Sequence, residues 1–139
     1  MSEPEGDPRC VFCRIIAGEL PATTVDGDER TVAFMDINPA TRGHALVVPR
    51  RHWRNLLEID SEDLEATVVA AQRLASRMPE RLDADGVNLL SSCGRAAWQT
   101  VSHFHIHVIP RYENDPVRLP WTPAGADKDE IEAAAAALR

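Results

Sequence analysis

The sequence of 139 residues has no long apolar run. Its uninterrupted apolar stretches are far shorter than the roughly 18–20 residues that span a bilayer. The segment 1–8, MSEPEGDP, is acidic and contains proline and glycine, whereas a signal peptide has a basic start and an apolar core. We therefore expect a cytoplasmic protein without membrane contact, in which residues 1–8 form a flexible tail.

Basic residues are also scarce, since 15 Lys and Arg stand against 22 Asp and Glu, for a formal net charge of −7. Nucleic-acid affinity depends on many contacts between cationic side chains and phosphates, so we expect no nucleic acid polymer as a partner. One basic segment, RRHWR at 50–54, is compatible with a solvated strand exit or with a rim that attracts a small anionic substrate.

The chain has only three cysteines, Cys10, Cys13 and Cys93. An odd number in a chain without a signal peptide does not indicate a disulfide framework. The Cys10-x-x-Cys13 spacing is compatible with a redox pair, with half of a zinc site or with chance. The residues alone leave that choice open, and Cys93 is expected to be a plain loop residue.

Hydrophobic periodicity predicts both helices and strands. The predicted helices cover 10–17, a long segment that begins near Asp60 or Ser61, and 127–139; the predicted strands cover 23–26, 31–36, 44–49, 87–91 and 101–110. Pro79 is predicted to end or kink the long helix. Short links between strands favour antiparallel pairing. The predicted fold class is α+β, an antiparallel sheet of about five strands with one long helix packed on it.

Three of the five histidines alternate with apolar residues in the segment HFHIHVI at 103–109. The period of two places the imidazoles of His103, His105 and His107 on one face of a strand. Aligning so many titratable rings is costly without a use, so the pattern indicates metal ligation or catalysis. Gly94, Gln99, Thr100 and Ser102 lie just upstream. They supply the donors that phosphoryl transfer needs, which favours phosphate chemistry.

The histidine segment matches in full the signature of the histidine-triad (HIT) family of nucleotide-binding proteins and hydrolases. Further resemblance comes from QTV at 99–101, FMDI at 34–37, and GHALVVP at 43–49 followed by RRH at 50–52. The resemblance covers about residues 10–121, and the sequence is most similar to the zinc-bearing bacterial-type branch. We expect a HIT domain at 9–122 and a C-terminal tail with a terminal helix at 123–139.

The resemblance implies a reaction at the α-phosphate of a nucleotide derivative. His105 would attack that phosphate, and water would then hydrolyse the nucleotidyl-histidine and release a nucleoside monophosphate. A neutral imidazole is a competent nucleophile near pH 7. His107 would bind the phosphate oxygens, and His44 would help orient the nucleophile. The implied substrate is a purine nucleotide or a nucleotide-derived molecule.

The resemblance also implies a nucleotide-binding set. Its members are Asp36, Ile37, Phe34, Ile16, Gln99, Thr100 and Ser92. Asp36 would receive the ribose hydroxyls, since a carboxylate suits two neighbouring donors. Ile16 and Phe34 would line the slot for the base, although core packing explains them equally well. Gln99 and Thr100 would lie near the scissile phosphate.

In the zinc-bearing branch, a structural zinc would be held by Cys10, Cys13, His52 and His103. This set provides the four N and S ligands of a closed zinc site and leaves His105 and His107 free for chemistry. Relatives also form two-fold dimers, so a homodimer is expected. Trp121 resembles a C-terminal tryptophan that approaches the active site in relatives.

Two departures concern the leaving group: Ser92 stands where many relatives have Asn, and Trp98 where some have Gly. Three other functions remain as alternatives. They are a nucleotidyltransferase or phosphorylase acting on dinucleoside polyphosphates, a non-catalytic nucleotide-binding protein, and a hydrolase with one metal held by all three triad histidines.

Overall fold

The computed structural model describes residues 6–139, so most of the predicted N-terminal tail lies outside the described residues. The element order alternates short strands with three helices. The elements are α1 (Val11–Ile16), β1 (Thr24–Gly27), β2 (Thr31–Met35), β3 (Ala45–Pro49), α2 (Ser61–Leu82), β4 (Gly86–Leu90), β5 (Ile106–Arg111) and α3 (Lys128–Leu138), with a 3-10 turn at Arg95–Ala97 before β5.

The five strands form one sheet in the order β1-β2-β3-β5-β4, and every neighbouring pair is antiparallel. The α+β class and the sheet with one long helix are therefore confirmed. The central pairing of β3 with β5 places Leu46 opposite His107 and Val47 opposite Ile106. This register brings the end of the histidine segment to the middle of the sheet.

The two faces of the sheet carry different cores. Helix α2 covers one face, where Ala71 and Leu74 pack with Val47, Phe104 and Val108. The other face holds a smaller apolar cluster around α1. That cluster contains Cys10, Phe12, Cys13, Val32, Phe34, Leu46 and Val48. The alternation in the histidine segment therefore directs its apolar residues to α2 and its imidazoles to the α1 face.

Strand β5 begins at Ile106, five residues later than the sequence predicts, so only His107 of the triad lies in regular strand. The segment before it is nevertheless fixed to its neighbours, because the backbone N–H of Phe104 donates to Trp53 O at 2.6 Å. Phe104 also stays buried against α2, at 2% exposure. This contact explains why the side chains before Ile106 still alternate between the two faces of the sheet, although they precede the regular strand.

Helix α2 starts as predicted, since the Asp60 carboxylate caps it by accepting from the N–H of Asp63 at 2.8 Å. It does not end at Pro79, which was the expectation, but continues to Leu82. Proline removes the backbone donor that would bond to residue 75, and α2 continues for three residues beyond this lost hydrogen bond. The helix closes at Asp83, whose left-handed backbone (φ 56°) lets its N–H donate to Met78 O.

Helix α3 forms near the predicted place and has no buried residue. Among the residues that the structure describes, no helix is both long and apolar enough to cross a membrane.

Candidate active site and metal centre

A cavity of about 420 Å³ lies on the α1 face of the sheet. One wall is apolar and includes Phe12, Ile15, Leu20, Phe34 and Leu46. The polar side of the same cavity carries Asp36, Asn38, Thr100, His105 and His107. The cavity thus combines a slot for a flat apolar group with histidines, a carboxylate and a hydroxyl, which is the combination typical of small-molecule sites.

His105 presents one free ring nitrogen. Its Nδ1 lies 2.6 Å from the carbonyl oxygen of His103, so Nδ1–H donates there and Nε2 keeps its lone pair. The edge of Phe12 packs against the ring at 5.1 Å between centroids. Burial lowers the pKa of His105 below its ordinary value, which favours the neutral imidazole. A neutral ring with a fixed tautomer has the form that a nitrogen nucleophile requires.

His44 and His107 form a second imidazole arrangement beside the cavity. The backbone N–H of Ala40 donates to His44 Nδ1 at 2.9 Å, so in the neutral ring the proton of His44 is on Nε2. That Nε2–H faces His107 Nδ1 at 2.9 Å, which makes His107 Nδ1 an acceptor. While this hydrogen bond is made, His107 carries its proton on Nε2, where it can act as a donor. Asp36 Oδ2 lies beside this pair, 3.4 Å from His44 Nε2.

Burial sets the charge state of both rings. It lowers the pKa of His44, against a smaller opposing effect of Asp36. It also lowers the pKa of His107 to about 4, with a further contribution from the neighbouring imidazoles of His105 and His44. Both rings are neutral near pH 7, which is the condition for the tautomers assigned above.

Four potential metal ligands meet at the other end of the histidine segment: Cys10, Cys13, His52 and His103. Cys13 Sγ lies 3.2 Å from His52 Nδ1 and 3.4 Å from His103 Nδ1. Cys10 Sγ lies 3.5 Å from His103 Nδ1, and the two imidazole nitrogens are 3.2 Å apart. Ligands on a tetrahedral zinc are about 3.3–3.8 Å from one another, given zinc bonds of about 2.0–2.3 Å. The donor set and its spacing therefore fit zinc.

The protonation of His103 also suits a metal ligand. Its Nε2 is 2.8 Å from Pro49 O, so Nε2–H donates to that carbonyl and the Nδ1 lone pair points to the cysteines. His103 is fully buried, and burial lowers its pKa to about 4. Burial raises the pKa of the Cys13 thiol to about 11. A bound cation would reverse this effect, because coordination stabilises the thiolate.

The loop that carries His52 is braced by a buried carboxylate. Asp63 on α2 is 2% exposed and accepts from Arg51 Nε and from Trp53 Nε1, both at 2.8 Å. These two residues flank His52. The N-terminal turn of α2 thus fixes the position of one potential ligand, whereas α1 and the residue that caps it supply the two cysteines.

Asp36, His44 and His107 also bring three ligand atoms within 4.8 Å of one another. Their hydrogen bonds do not suit a metal. The Ala40 N–H occupies His44 Nδ1, so His44 Nε2 carries a proton and has no lone pair for a cation. The triad rings also face different partners, since His103 Nδ1 points to the cysteines and His107 Nδ1 to His44. Among the residues that the structure describes, the three triad rings do not converge on one metal position.

Comparison with known proteins identifies the family. A family model described as the HIT domain matches residues 17–114. The chain belongs to the HIT family. An uncharacterized HIT-like protein of Methanocaldococcus jannaschii is 42% identical over 106 residues, which are 76% of this chain and 81% of that protein.

Solved HIT structures resemble the chain over most of its length. A Zn-bound histidine triad family protein from Mycobacterium smegmatis has a TM-score of 0.77 and 38% identity, covering 94% of this chain and 95% of that one. A histidine triad nucleotide-binding protein from Candida albicans has a TM-score of 0.80 and 29% identity, covering 93% and 94%. The prediction of HIT membership from the histidine segment is therefore confirmed.

The structure places most of the predicted nucleotide-binding residues of this HIT protein at the cavity. Asp36, Phe34 and Thr100 line it, and Ile37 lies at its rim with 90% exposure. Ile16 does not line the cavity, and Ile15 takes that place on the wall. A six-residue helix turns each side chain by about 100°, so the sequence could not decide between the two neighbours.

Gln99 and Ser92 are also not part of the cavity wall. The Gln99 amide joins its own loop to the loop after β3: Oε1 accepts from Gly94 N–H at 2.8 Å, and Nε2 donates to Arg54 O at 2.7 Å. Gln99 thus shapes the loop that presents Thr100. Trp98 has a left-handed backbone (φ 73°), a conformation that favours glycine over a bulky side chain.

The sequence analysis missed the apolar residues Leu20, Leu46 and Val101 of the cavity. Leu46 could have been found, because it alternates with the core residues of β3 and so faces the histidine side. Leu20 lies in an irregular segment, where no periodicity indicates direction.

Proposed function

We propose that this HIT protein is a hydrolase that cleaves nucleotide derivatives at the α-phosphate, with His105 as the nucleophile. The observation that carries the proposal is the hydrogen bond from His105 Nδ1–H to the His103 carbonyl. It fixes the tautomer with a free Nε2 in a cavity that also contains a carboxylate for ribose and an apolar slot for a base. The nucleotide-binding HIT neighbour from Candida albicans supports the same ligand class.

In the proposed reaction, His105 Nε2 attacks the α-phosphorus, and the bond from phosphorus to the leaving nitrogen or oxygen breaks. The leaving group takes up a proton from solvent as it departs. Water then attacks the nucleotidyl-histidine, breaks the P–N bond to His105, returns one proton to solvent and releases a nucleoside monophosphate. His107 Nε2–H and the Thr100 hydroxyl would donate to the phosphate oxygens as charge develops on them.

The proposed substrate is a purine nucleotide derivative. Asp36 would accept hydrogen bonds from the two ribose hydroxyls, because a carboxylate offers several acceptor sites and no donor. Phe12, Ile15 and Phe34 would enclose the base, and an apolar wall of this kind binds a ring by shape and burial.

We also propose a structural zinc on Cys10, Cys13, His52 and His103, supported by the distances above and by the Zn-bound neighbour from Mycobacterium smegmatis. When bound, zinc would link α1 to the His52 loop and to the residue two positions before His105. The test is the metal content of protein purified with zinc: about one equivalent in the wild type and in Cys93→Ser. Cys13→Ser should bind less than a quarter of an equivalent, and equal content in both variants would refute the site.

We propose that the expected homodimer forms through the β4 edge, one of the two edges of the sheet. Strand β4 pairs on one side only, and Leu89 and Leu90 on it are 48% and 40% exposed. An edge strand with apolar side chains is a template for pairing with a second copy. Trp121 is 62% exposed and does not line the cavity of its own chain. Leu89→Lys should shift the mass in light scattering from dimer to monomer, and an unchanged mass would exclude this edge.

The experiment for the proposed activity compares the wild type with His105→Asn. The substrates are adenosine 5′-phosphoramidate and a diadenosine polyphosphate, and the readout is release of a nucleoside monophosphate. Asn keeps a polar side chain but has no ring nucleophile, so the rate should fall at least about 10³-fold. A similar rate in both proteins would refute the role of His105.

Two additions to the same assay separate the alternatives. Inorganic phosphate as an acceptor would divert the intermediate to a nucleoside diphosphate if the protein is a transferase. Wild-type protein that binds the monophosphate without any turnover would be a nucleotide-binding protein rather than an enzyme.

A further inference from the structure

The Nε2–H of His44 has two acceptors within reach. His107 Nδ1 is 2.9 Å away, and Asp36 Oδ2 is 3.4 Å away. Because the Ala40 N–H donates to His44 Nδ1, the neutral His44 ring carries its one proton on Nε2 and has no second N–H to donate. The position of one proton therefore decides whether His107 or Asp36 receives a hydrogen bond from His44.

Asp36 competes for this proton with the advantage of its charge. A hydrogen bond to an ionised acceptor is roughly twice as strong as one between neutral groups. Asp36 Oδ1 already accepts from the N–H of Asn38 at 2.8 Å, whereas Oδ2 is the oxygen beside His44. Hydroxyl groups that donate to Asp36 would satisfy its lone pairs and weaken its attraction for the His44 proton.

The consequence for His107 follows from its tautomers. When His44 donates to it, His107 Nδ1 must be an acceptor, and the ring proton is confined to Nε2. Without that donor, either nitrogen of His107 can carry the proton, and the Nδ1–H form has no donor to offer at Nε2. The fraction of His107 that is able to donate thus depends on His44.

We propose that His44 is a positioning residue through which ribose binding at Asp36 sets the tautomer of His107. With both ribose hydroxyls on Asp36, the His44 proton is committed to His107, which then presents Nε2–H to the phosphate. The inference rests on the proposed function, since it assumes that Asp36 holds the ribose and that His107 contacts the phosphate. It predicts that the sugar hydroxyls contribute to the chemical step as well as to binding.

The kinetic test uses adenosine 5′-phosphoramidate and its 2′,3′-dideoxy analogue. In the wild type, the analogue should raise KM and lower kcat at least about tenfold, within the usual range of coupling between sites. In His44→Phe, which keeps a ring of similar size without nitrogens, kcat is already low for both substrates. The ratio of the two kcat values should then fall to within about twofold, while the effect on KM remains.

His44→Gln is the conservative variant, because its amide has both a donor and an acceptor. It should restore part of the kcat ratio, which a purely structural role of His44 would not produce. An unchanged tenfold kcat ratio in His44→Phe would overturn the proposal, and so would a wild type whose kcat ignores the sugar hydroxyls.

A spectroscopic arm needs no turnover. Nitrogen-15 NMR of the imidazoles is recorded with AMP and with 2′,3′-dideoxy-AMP, and His107→Gln assigns the signals. With AMP, His107 should show a bare Nδ1 and a protonated Nε2, and the dideoxy ligand should give averaged signals. Identical His107 signals in both complexes would overturn the relay. Absence of phosphoramidate turnover would instead refute the proposed function, and the NMR result would still decide the relay.

Discussion

Two clusters of potential ligands lie at the ends of the triad: the cysteine cluster (Cys10, Cys13, His52 and His103) and the Asp36 cluster (Asp36, His44 and His107). Their ligand atoms are similarly spaced, but the protons on their imidazole rings point in different directions. Each brings potential ligand atoms within 4.8 Å of one another. In the cysteine cluster, His103 donates outward through Nε2 to Pro49 and points a lone pair inward. In the Asp36 cluster, the Ala40 N–H takes the outer nitrogen of His44, so a proton points inward instead. The backbone group that bonds to the outer nitrogen of His103 or His44 therefore decides whether the inner nitrogen has a lone pair or a proton.

Within the five residues 103–107, one histidine therefore faces the cysteines and two face the cavity. His103 is committed to the cysteines, whereas His105 and His107 keep nitrogens for the cavity. The division depends on the partner of each ring and not on the spacing of the histidines, which is uniform. A hydrogen bond to the outer nitrogen of an imidazole orients the ring and sets the basicity of its inner nitrogen.

Removal of the proposed zinc should have the largest effect on the molecule. At free zinc about 1,000 times Kd, binding stabilises the folded state by about 4 kcal/mol, and each kcal/mol corresponds to about 4 °C for a chain of this size. A strong chelator should therefore lower Tm by about 16 °C, as measured by calorimetry. Cys13→Ser should show the low Tm without chelator, and Cys93→Ser should keep the high one. If a chelator leaves Tm unchanged, the cysteine cluster does not hold a stabilising metal, and the proposed difference between the two clusters is wrong.

Substitution of Phe12 should have the next largest effect, because its ring contacts both His103 and His105. The ring lies 5.9 Å from His103, 5.1 Å from His105 and 5.4 Å from Phe34, centroid to centroid. Phe12→Ala removes a buried ring and should destabilise the fold by about 3 kcal/mol in denaturant unfolding. Phe12→Leu, which fills most of the space, should cost about 1 kcal/mol. Equal losses would mean that volume is not what Phe12 supplies.

Local sequence patterns predicted most of the fold, whereas the proposed site residues other than the histidine segment came from the family resemblance. Strict alternation in the histidine segment identified the side of the sheet that carries the rings, because period-two patterns are local. Helix α2 and its Asp60 cap were predicted for the same reason. The continuation of α2 through Pro79 was not, since it depends on the closure of the last turn at Asp83.

Local patterns could not predict contacts between segments that are far apart in the sequence. The donation from Ala40 to His44 and the placement of Ile15 instead of Ile16 arise from the packing of loops and of a short helix. The metal set was inferred from resemblance, because nothing local connects the cysteines to His52 and His103.

The pH dependence of stability should show a smaller effect at the Asp36 cluster. Burial lowers the pKa of His107 from 6.5 to about 4, so the unfolded chain takes up a proton there before the folded protein does. Stability is complete above pH 6.5 and falls as the pH decreases towards 4. His107→Gln cannot take up that proton, so its stability should fall less steeply, by no more than about 3 kcal/mol at pH 4. Acid also removes zinc from both proteins, so the measured quantity is the difference between their unfolding free energies. Parallel curves would contradict the buried, neutral state of His107.

The smallest effect is expected for a substitution in the Asp36 cluster, which should leave the number of bound metal ions unchanged. Cobalt(II) is a spectroscopic substitute for zinc, and its titration should end at one equivalent with the absorption of a tetrahedral thiolate site. His44→Phe should bind the same single equivalent, because the proton on His44 Nε2 already excludes a cation from that ring. His52→Ala is the matched variant on the other cluster and should lose the thiolate spectrum. A second equivalent that is present in the wild type and lost in His44→Phe would show that the Asp36 cluster also binds a metal. The tautomer assigned from the Ala40 hydrogen bond would then be wrong, since a cation at Nε2 requires the lone pair that this hydrogen bond assigns to Nδ1.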